Sequence, residues 1–280
     1  MPALIVSLTI VAFGTLAPEL LISIKAINDG LPGLTLGNVV GSNTANVLMV
    51  LGIPAIIAAM NMELCDTRKS YVMMLIATAL FIVLCFFGPL TWWHGLILLV
   101  GLALMLGDQV LDALAHRRAG ADDEEVEGAD PSMAGWKIAV FLALGLVWLP
   151  FGAGLLIDGA TNIARLYGVS ETVIGLILVA IGTSLPELAT TVMAAFRRQA
   201  DVAMGNVIGS NMFNLPGIIG ISTLVGPIPV AGQILSFDLW VMLAASLLLA
   251  PFVFLRWTMT RGWGVGLTGL YALYLWVVIT

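Results

Sequence analysis

One 43-residue stretch occurs twice in this chain. Residues 11–53 read VAFGTLAPELLISIKAINDGLPGLTLGNVVGSNTANVLMVLGI, and residues 179–221 read VAIGTSLPELATTVMAAFRRQADVAMGNVIGSNMFNLPGIIGI. The copies align without a gap at an offset of 168 residues, with 17 of 43 positions identical. The identities gather in two blocks, one around Gly14-Thr15 and Pro18-Glu19, the other around Gly37-Asn38 and Gly41-Ser42-Asn43. Shared hydrophobicity alone would spread the matches evenly, so the clustering marks a duplicated site. Each copy also sets one carboxylate, Glu19 or Glu187, inside an otherwise apolar run.

The surrounding composition says what medium that carboxylate sits in. Of 280 residues only 10% are charged, and the mean hydropathy is +1.06, whereas soluble domains carry roughly a quarter charged residues. The chain is therefore read as an integral membrane protein. Its long apolar runs demand helices, because barrel strands would alternate over about ten residues. At about 20 residues per span, nine segments emerge: 3–27, 34–59, 70–88, 92–115, 136–158, 169–196, 202–225, 237–255 and 263–280. The fold class is thus all-α and polytopic. Its units are a first repeat over 1–115, an acidic linker over 116–135 and a second repeat over 136–280. Cys65, Cys85, His94 and His116 stand alone, without metal or redox spacing. Nothing in the charge pattern addresses nucleic acid.

Lys and Arg set the orientation. With Arg117 and Arg118 in the cytoplasm, alternate threading also places Arg68, Lys69, Lys137, Arg197, Arg198, Arg256 and Arg261 there. Only Lys25 and Arg165 fall outside. The linker is then cytoplasmic and Thr280 external. The same threading runs the Glu19 helix outward and the Glu187 helix inward, so the repeats are inverted in the membrane. Inverted repeats are characteristic of secondary transporters, with sites near the midplane where the repeats meet. By the same offset Met1 aligns with Val169, so a five-plus-five plan calls for one further span in front. The expectation is that this sequence begins late, at a valine-coding alternative start read as methionine; a true nine-span protein is the alternative.

Ionised carboxylates at mid-membrane cost at least about 2.5–3.5 kcal/mol each on insertion scales. No Lys or Arg lies deep enough in the apolar runs to pair with Glu19 or Glu187, so the partner comes from solution, as a metal ion or protons. Pro18 and Pro186 remove a backbone donor and clash one turn back, at Gly14 and Gly182. Carbonyls around Ala12 to Thr15 and Ala180 to Thr183 are thereby expected to loosen, beside the Thr15 and Thr183 hydroxyls. The second block adds Asn38, Ser42 and Asn46 on one helix stripe, with counterparts Asn206, Ser210 and Asn214. Asn43 and Asn211 are divided evenly between helix packing and the site. Two such sets provide two negative charges and more than six hard oxygens, which suits calcium; soft metals would want Cys or His.

The duplicated, inverted blocks resemble the alpha repeats of the calcium/cation antiporter superfamily, which includes the sodium/calcium exchangers. The resemblance implies a ten-helix transporter, not an enzyme, whose second, third, seventh and eighth helices line the ion path. The absent first helix and 136–158 would be its gating pair. It implies that Glu19 and Glu187 bind calcium and that Thr15 and Thr183 coordinate it through their carbonyls. Ser42, Ser210 and the carbonyls of Ala12 and Ala180 would form flanking sodium sites, with Asn46 and Asn214 as the central polar pair. No resident cofactor is implied, because calcium and sodium ions or protons are cargo. The expected setting is a bacterial or archaeal inner membrane, with the chain acting as a monomer. Two departures bear on the counter-ion: some sodium-dependent members carry Asp at the position of Asn214, and Leu16 stands opposite Ser184. Both lower the polarity available to several sodium ions and leave proton coupling open. A passive channel and an intramembrane acid protease are the competing readings; the protease would need a close pair of carboxylates sharing a proton.

Overall fold

A computed structural model describes residues 12–63, 65, 67–118 and 166–280, with scattered positions between 144 and 163. The expectations for residues 1–11, for most of the linker and for the helix at 136–158 lie outside the described residues.

All the regular elements described are helices. They are α1 (Ala12–Asn28), α2 (Pro32–Ile57), α3 (Arg68–Cys85), α4 (Trp92–Arg118) and α5 (Glu171–Thr183). After these come α6 (Leu185–Phe196), α7 (Ala200–Val225), α8 (Ile234–Phe254) and α9 (Arg261–Ile279). Local chemistry sets their starts. Pro32 opens α2, where its missing donor is harmless. The Ser170 hydroxyl caps α5 by accepting from the Val173 amide at 3.3 Å. The run 169–196 is two helices rather than one: α5 and α6 meet at Ser184 with a 44° bend, just ahead of Pro186. The proline predicts that kink.

Burial separates two classes of helix. In α2 and α7, 83% of the most apolar window is buried, against 22% in α4 and 28% in α9. The central pair is also the polar pair: Asn38, Ser42, Asn43, Thr44, Asn46, Asn211 and Asn214 are all buried. The outer helices turn Trp92, Leu104, Leu111, Trp240 and Trp276 outward. This is a multi-pass membrane protein, with lipid-facing apolar side chains around a polar centre.

Close backbone approach gives the relative directions. A Cβ on Gly37 would lie 2.2 Å from Thr172 O, and one on Gly41 2.4 Å from Leu176 O and 2.8 Å from Ala180 Cβ. The contacts advance together along both helices, so α2 and α5 are parallel and touch backbone to backbone. α1–α2 and α6–α7 are hairpins, hence α1 runs against α5–α6 and α2 against α7. The repeats are inverted.

Paired details repeat the same operation. An antiparallel bridge joins Met60 to Met259, and another joins Leu90 to Ile228, which is Met60 plus 168. Gly52 packs on Gly264 of α9, while Gly220, its equivalent, packs on Gly95 of α4. Both central helices widen into a π-turn, at Asn46–Val50 and at Asn214–Ile219. Such turns concentrate at functional sites.

Candidate cation-binding site

Glu19 and Glu187 are both buried, with 1% of their surface exposed. They come close enough for their charges to interact. Around Glu19 stand the hydroxyls of Ser42 and Thr183 and the amide of Asn214. Each belongs to a different helix: α1 supplies the carboxylate, α2 Ser42, α5 Thr183 and α7 Asn214. The Asn214 amide lies 3.2 Å from Asn43 Oδ1 and 3.1 Å from Glu19 Oε2. With its nitrogen toward the carboxylate it donates to Glu19 and, at 3.2 Å, to the Ser210 carbonyl.

The polar atoms left over define what the site accepts. Glu19 Oε1, Glu187 Oε2, Ser184 Oγ and Asn46 Oδ1 are buried without a hydrogen-bond partner. An unpaired buried acceptor costs about 1–3 kcal/mol, and more when charged. Among the described residues neither glutamate forms an ion pair, and no three His, Cys, Asp or Glu side chains come together. A cation here meets two carboxylates and a shell of neutral oxygens, the donor set of a hard ion.

The central amides join the two halves. Asn43 Nδ2 donates to the Asn211 carbonyl at 3.3 Å, and Asn211 Nδ2 donates back to the Asn43 carbonyl at 2.9 Å. Asn46 Nδ2 donates to Asn211 Oδ1 at 3.0 Å. The α2–α7 crossing is therefore closed by a reciprocal Asn43–Asn211 pair, to which Asn46 adds one bond that its copy Asn214 does not repeat.

Several expectations change in detail. The Ala180 carbonyl is not free: it accepts from the Ser184 amide at 3.0 Å and from Thr183 Oγ1 at 3.2 Å, because the hydroxyl folds back along the last turn of α5. The same single hydroxyl proton is shared with Asn38 Oδ1, 3.1 Å away, which ties α5 to α2. Asn206 is half-buried and donates to the Glu187 carbonyl and to Thr190 and Thr191. It holds the α6–α7 hairpin, so it differs in role from Asn38. Thr15 lies in α1 one turn before Glu19, and Ala12 is the first residue of that helix. Ser210 is buried on α7, one turn before Asn214. Ser184, absent from the expected ligands, contributes an unpartnered oxygen; its difference from Leu16 was the sequence signal.

The comparisons with known proteins agree on the fold and the family. The family model described as sodium/calcium exchanger protein matches residues 1–109 and 137–280. The inner membrane protein YrbG of Escherichia coli is 32% identical over 98% of this chain and 86% of its own length. The sodium/calcium exchanger MaX1 of Methanosarcina acetivorans is 33% identical over 98% of this chain and 88% of its own. A structure of the sodium-calcium exchanger NCX_Mj soaked with sodium and strontium superposes with a TM-score of 0.71. It is 31% identical, over 98% of this chain and 86% of that one. With the inverted repeats, the buried glutamate pair and these matches in hand, the chain belongs to the sodium/calcium exchanger protein family.

Proposed function

We propose that the chain is a secondary antiporter that moves calcium against sodium ions or protons by alternating access. The observation carrying this reading is the pair Glu19 and Glu187, buried at the meeting of two inverted repeats with unpartnered oxygens and, among the described residues, no cationic side chain paired with them. Calcium neutralises both carboxylates at once; monovalent cations or protons do so in its absence. Only a neutralised site crosses the apolar parts of the path without the penalty of buried charge, so movement of one ion requires return of the other. Thr183, Ser42, Ser210, Asn46, Asn214 and the carbonyls at Ala12, Thr15 and Ala180 complete the ion shell in this reading. Ala180 offers the lone pair that is free when the single Thr183 hydroxyl proton goes to Asn38 Oδ1.

The fixed charge at the centre sets the charge carried by the counter-ions. Asn46 and Asn214 leave two fixed charges at the centre, and the Asn214 amide reaches Glu19. Two monovalent cations, protons or sodium ions, balance one calcium there. The two halves, 1–115 and 136–280, act as the moving units on either side of a cytoplasmic linker. Thr280 is outside, and one copy of the chain suffices.

Calcium uptake into proteoliposomes tests the proposal, with an imposed sodium gradient compared with an imposed pH gradient. Flux that persists without either counter-ion indicates a passive pathway and overturns antiport.

A further inference from the structure

Two turns break the symmetry of this molecule in the same way. Among the described residues, the non-glycine residues with left-handed backbone are Arg198 (φ 60°) and Arg256 (φ 54°). Subtracting 168 gives Gly30 (φ 77°) and Gly88 (φ 102°), which hold the equivalent turns at the opposite end. Glycine takes this conformation without strain, and a side chain does not. At both positions the chain keeps the strained backbone and places a guanidinium on it. Such an outlier is a pointer to function.

Arg198 lines a cleft of about 450 Å³ with Ile57, Met60, Asn61, Ala200 and Arg261. Arg261 Nη2 donates to the Ile57 carbonyl at 3.5 Å, which holds its guanidinium at the cleft. Ala200 is the first residue of α7, and that helix start has no side-chain cap, so its open amides are available as donors, while Asp201 in the same turn offsets part of the positive potential. Arg256 and Asp201 both lie within electrostatic reach of Cys65. Among the described residues, Glu63 is also near the lining, and it accepts from Asn61 Nδ2 at 3.3 Å. At the opposite end the residues equivalent to Arg198 and Arg261 are Gly30 and Trp93, and Trp93 stacks on His94. One end of the bundle thus presents guanidiniums where the other presents glycine and an aromatic ring.

We infer that the Arg198–Arg261 cleft binds the phosphate of an anionic phospholipid headgroup in the adjoining leaflet. The guanidiniums meet the phosphate oxygens, exposed Ile57 faces the acyl chain, and the open start of α7 contributes backbone donors. The equivalent Gly30–Trp93 position carries no guanidinium and binds no such lipid.

The test uses the full chain in neutral detergent, with melting temperature followed while phosphatidylglycerol, phosphatidylcholine or inorganic phosphate is added. Phosphatidylglycerol raises the melting temperature and phosphatidylcholine does not. Arg198→Gly and Arg261→Gln each weaken the apparent affinity roughly fivefold, as expected for loss of one cation near an anionic surface. Arg198→Gly without lipid is at least as stable as the parent, because the strain is gone. Arg117→Gln, at the far end of α4, keeps the parent response. The inference is overturned if both cleft variants respond like the parent, if Arg117→Gln loses as much, or if inorganic phosphate alone reproduces the shift.

Discussion

Asn43 and Asn211 each donate their side-chain amide to the other's backbone carbonyl, at 3.3 and 2.9 Å, across exactly one repeat length of 168 residues. The contact sits where α2 crosses α7, one turn from the π-turns that begin at Asn46 and Asn214. Asn211 does more than Asn43, because its Oδ1 also accepts from Asn46. Asn43→Ala and Asn211→Ala should each destabilise the protein by about 1–3 kcal/mol, with Asn211→Ala the larger. The double variant should lose less than the sum. Thermal unfolding in detergent measures this; full additivity would contradict the shared contact.

Glu19→Gln and Glu187→Gln keep the shape of the side chain and remove its charge. Calcium exchange should be abolished in both, while the melting temperature stays at or above that of the parent because a buried charge has been neutralised. Substantial calcium flux in either variant would refute their role in binding.

Asn214→Asp adds a third carboxyl beside Glu19. Parent exchange is expected to be electroneutral, since two charges balance one calcium. In the variant, exchange should become sensitive to a potassium–valinomycin diffusion potential. A parent flux that already follows the potential contradicts the two-charge site.

Gly41 has no room for a methyl group: its Cβ would stand 2.4 Å from Leu176 O. Gly41→Ala should force α2 off α5, costing about 1–3 kcal/mol and impairing transport, because Ser42 and Thr183 ride on those helices. Gly101→Ala, whose nearest neighbour is the flexible Leu80 Cδ2 at 3.5 Å, should be tolerated. Equal melting temperatures for the two variants would remove the close-approach argument.

A third buried carboxylate, Asp238 on α8, accepts from the Tyr274 hydroxyl at 3.0 Å. Tyr274→Phe should cost about 1–3 kcal/mol by leaving that oxygen unpaired. Asp238→Asn keeps an acceptor and should cost less, with unfolding midpoints giving the order.

Much of this protein is legible in its residues. Helical hydrogen bonds are satisfied within each segment, so in a bilayer apolar length alone identifies spans. Pro186 announces the bend at Ser184, and the lack of an intramembrane cation beside Glu19 and Glu187 already demands an ion from solution. Contacts between segments do not follow from local pattern. Nothing in the letters says that Asn43 and Asn211, equally suited to packing or ligation, would close on each other. The Thr183 hydroxyl engaging the Ala180 carbonyl, and Asn38 parting in role from its copy Asn206, are likewise invisible there. These depend on how closely Gly37 and Gly41 bring α2 to α5 and on how the inverted halves cross. Sequence determined the carboxylates, the repeat and the medium; only the tertiary structure decided which oxygens remain unpaired, because a donor's partner is set by packing distance rather than by position in the chain.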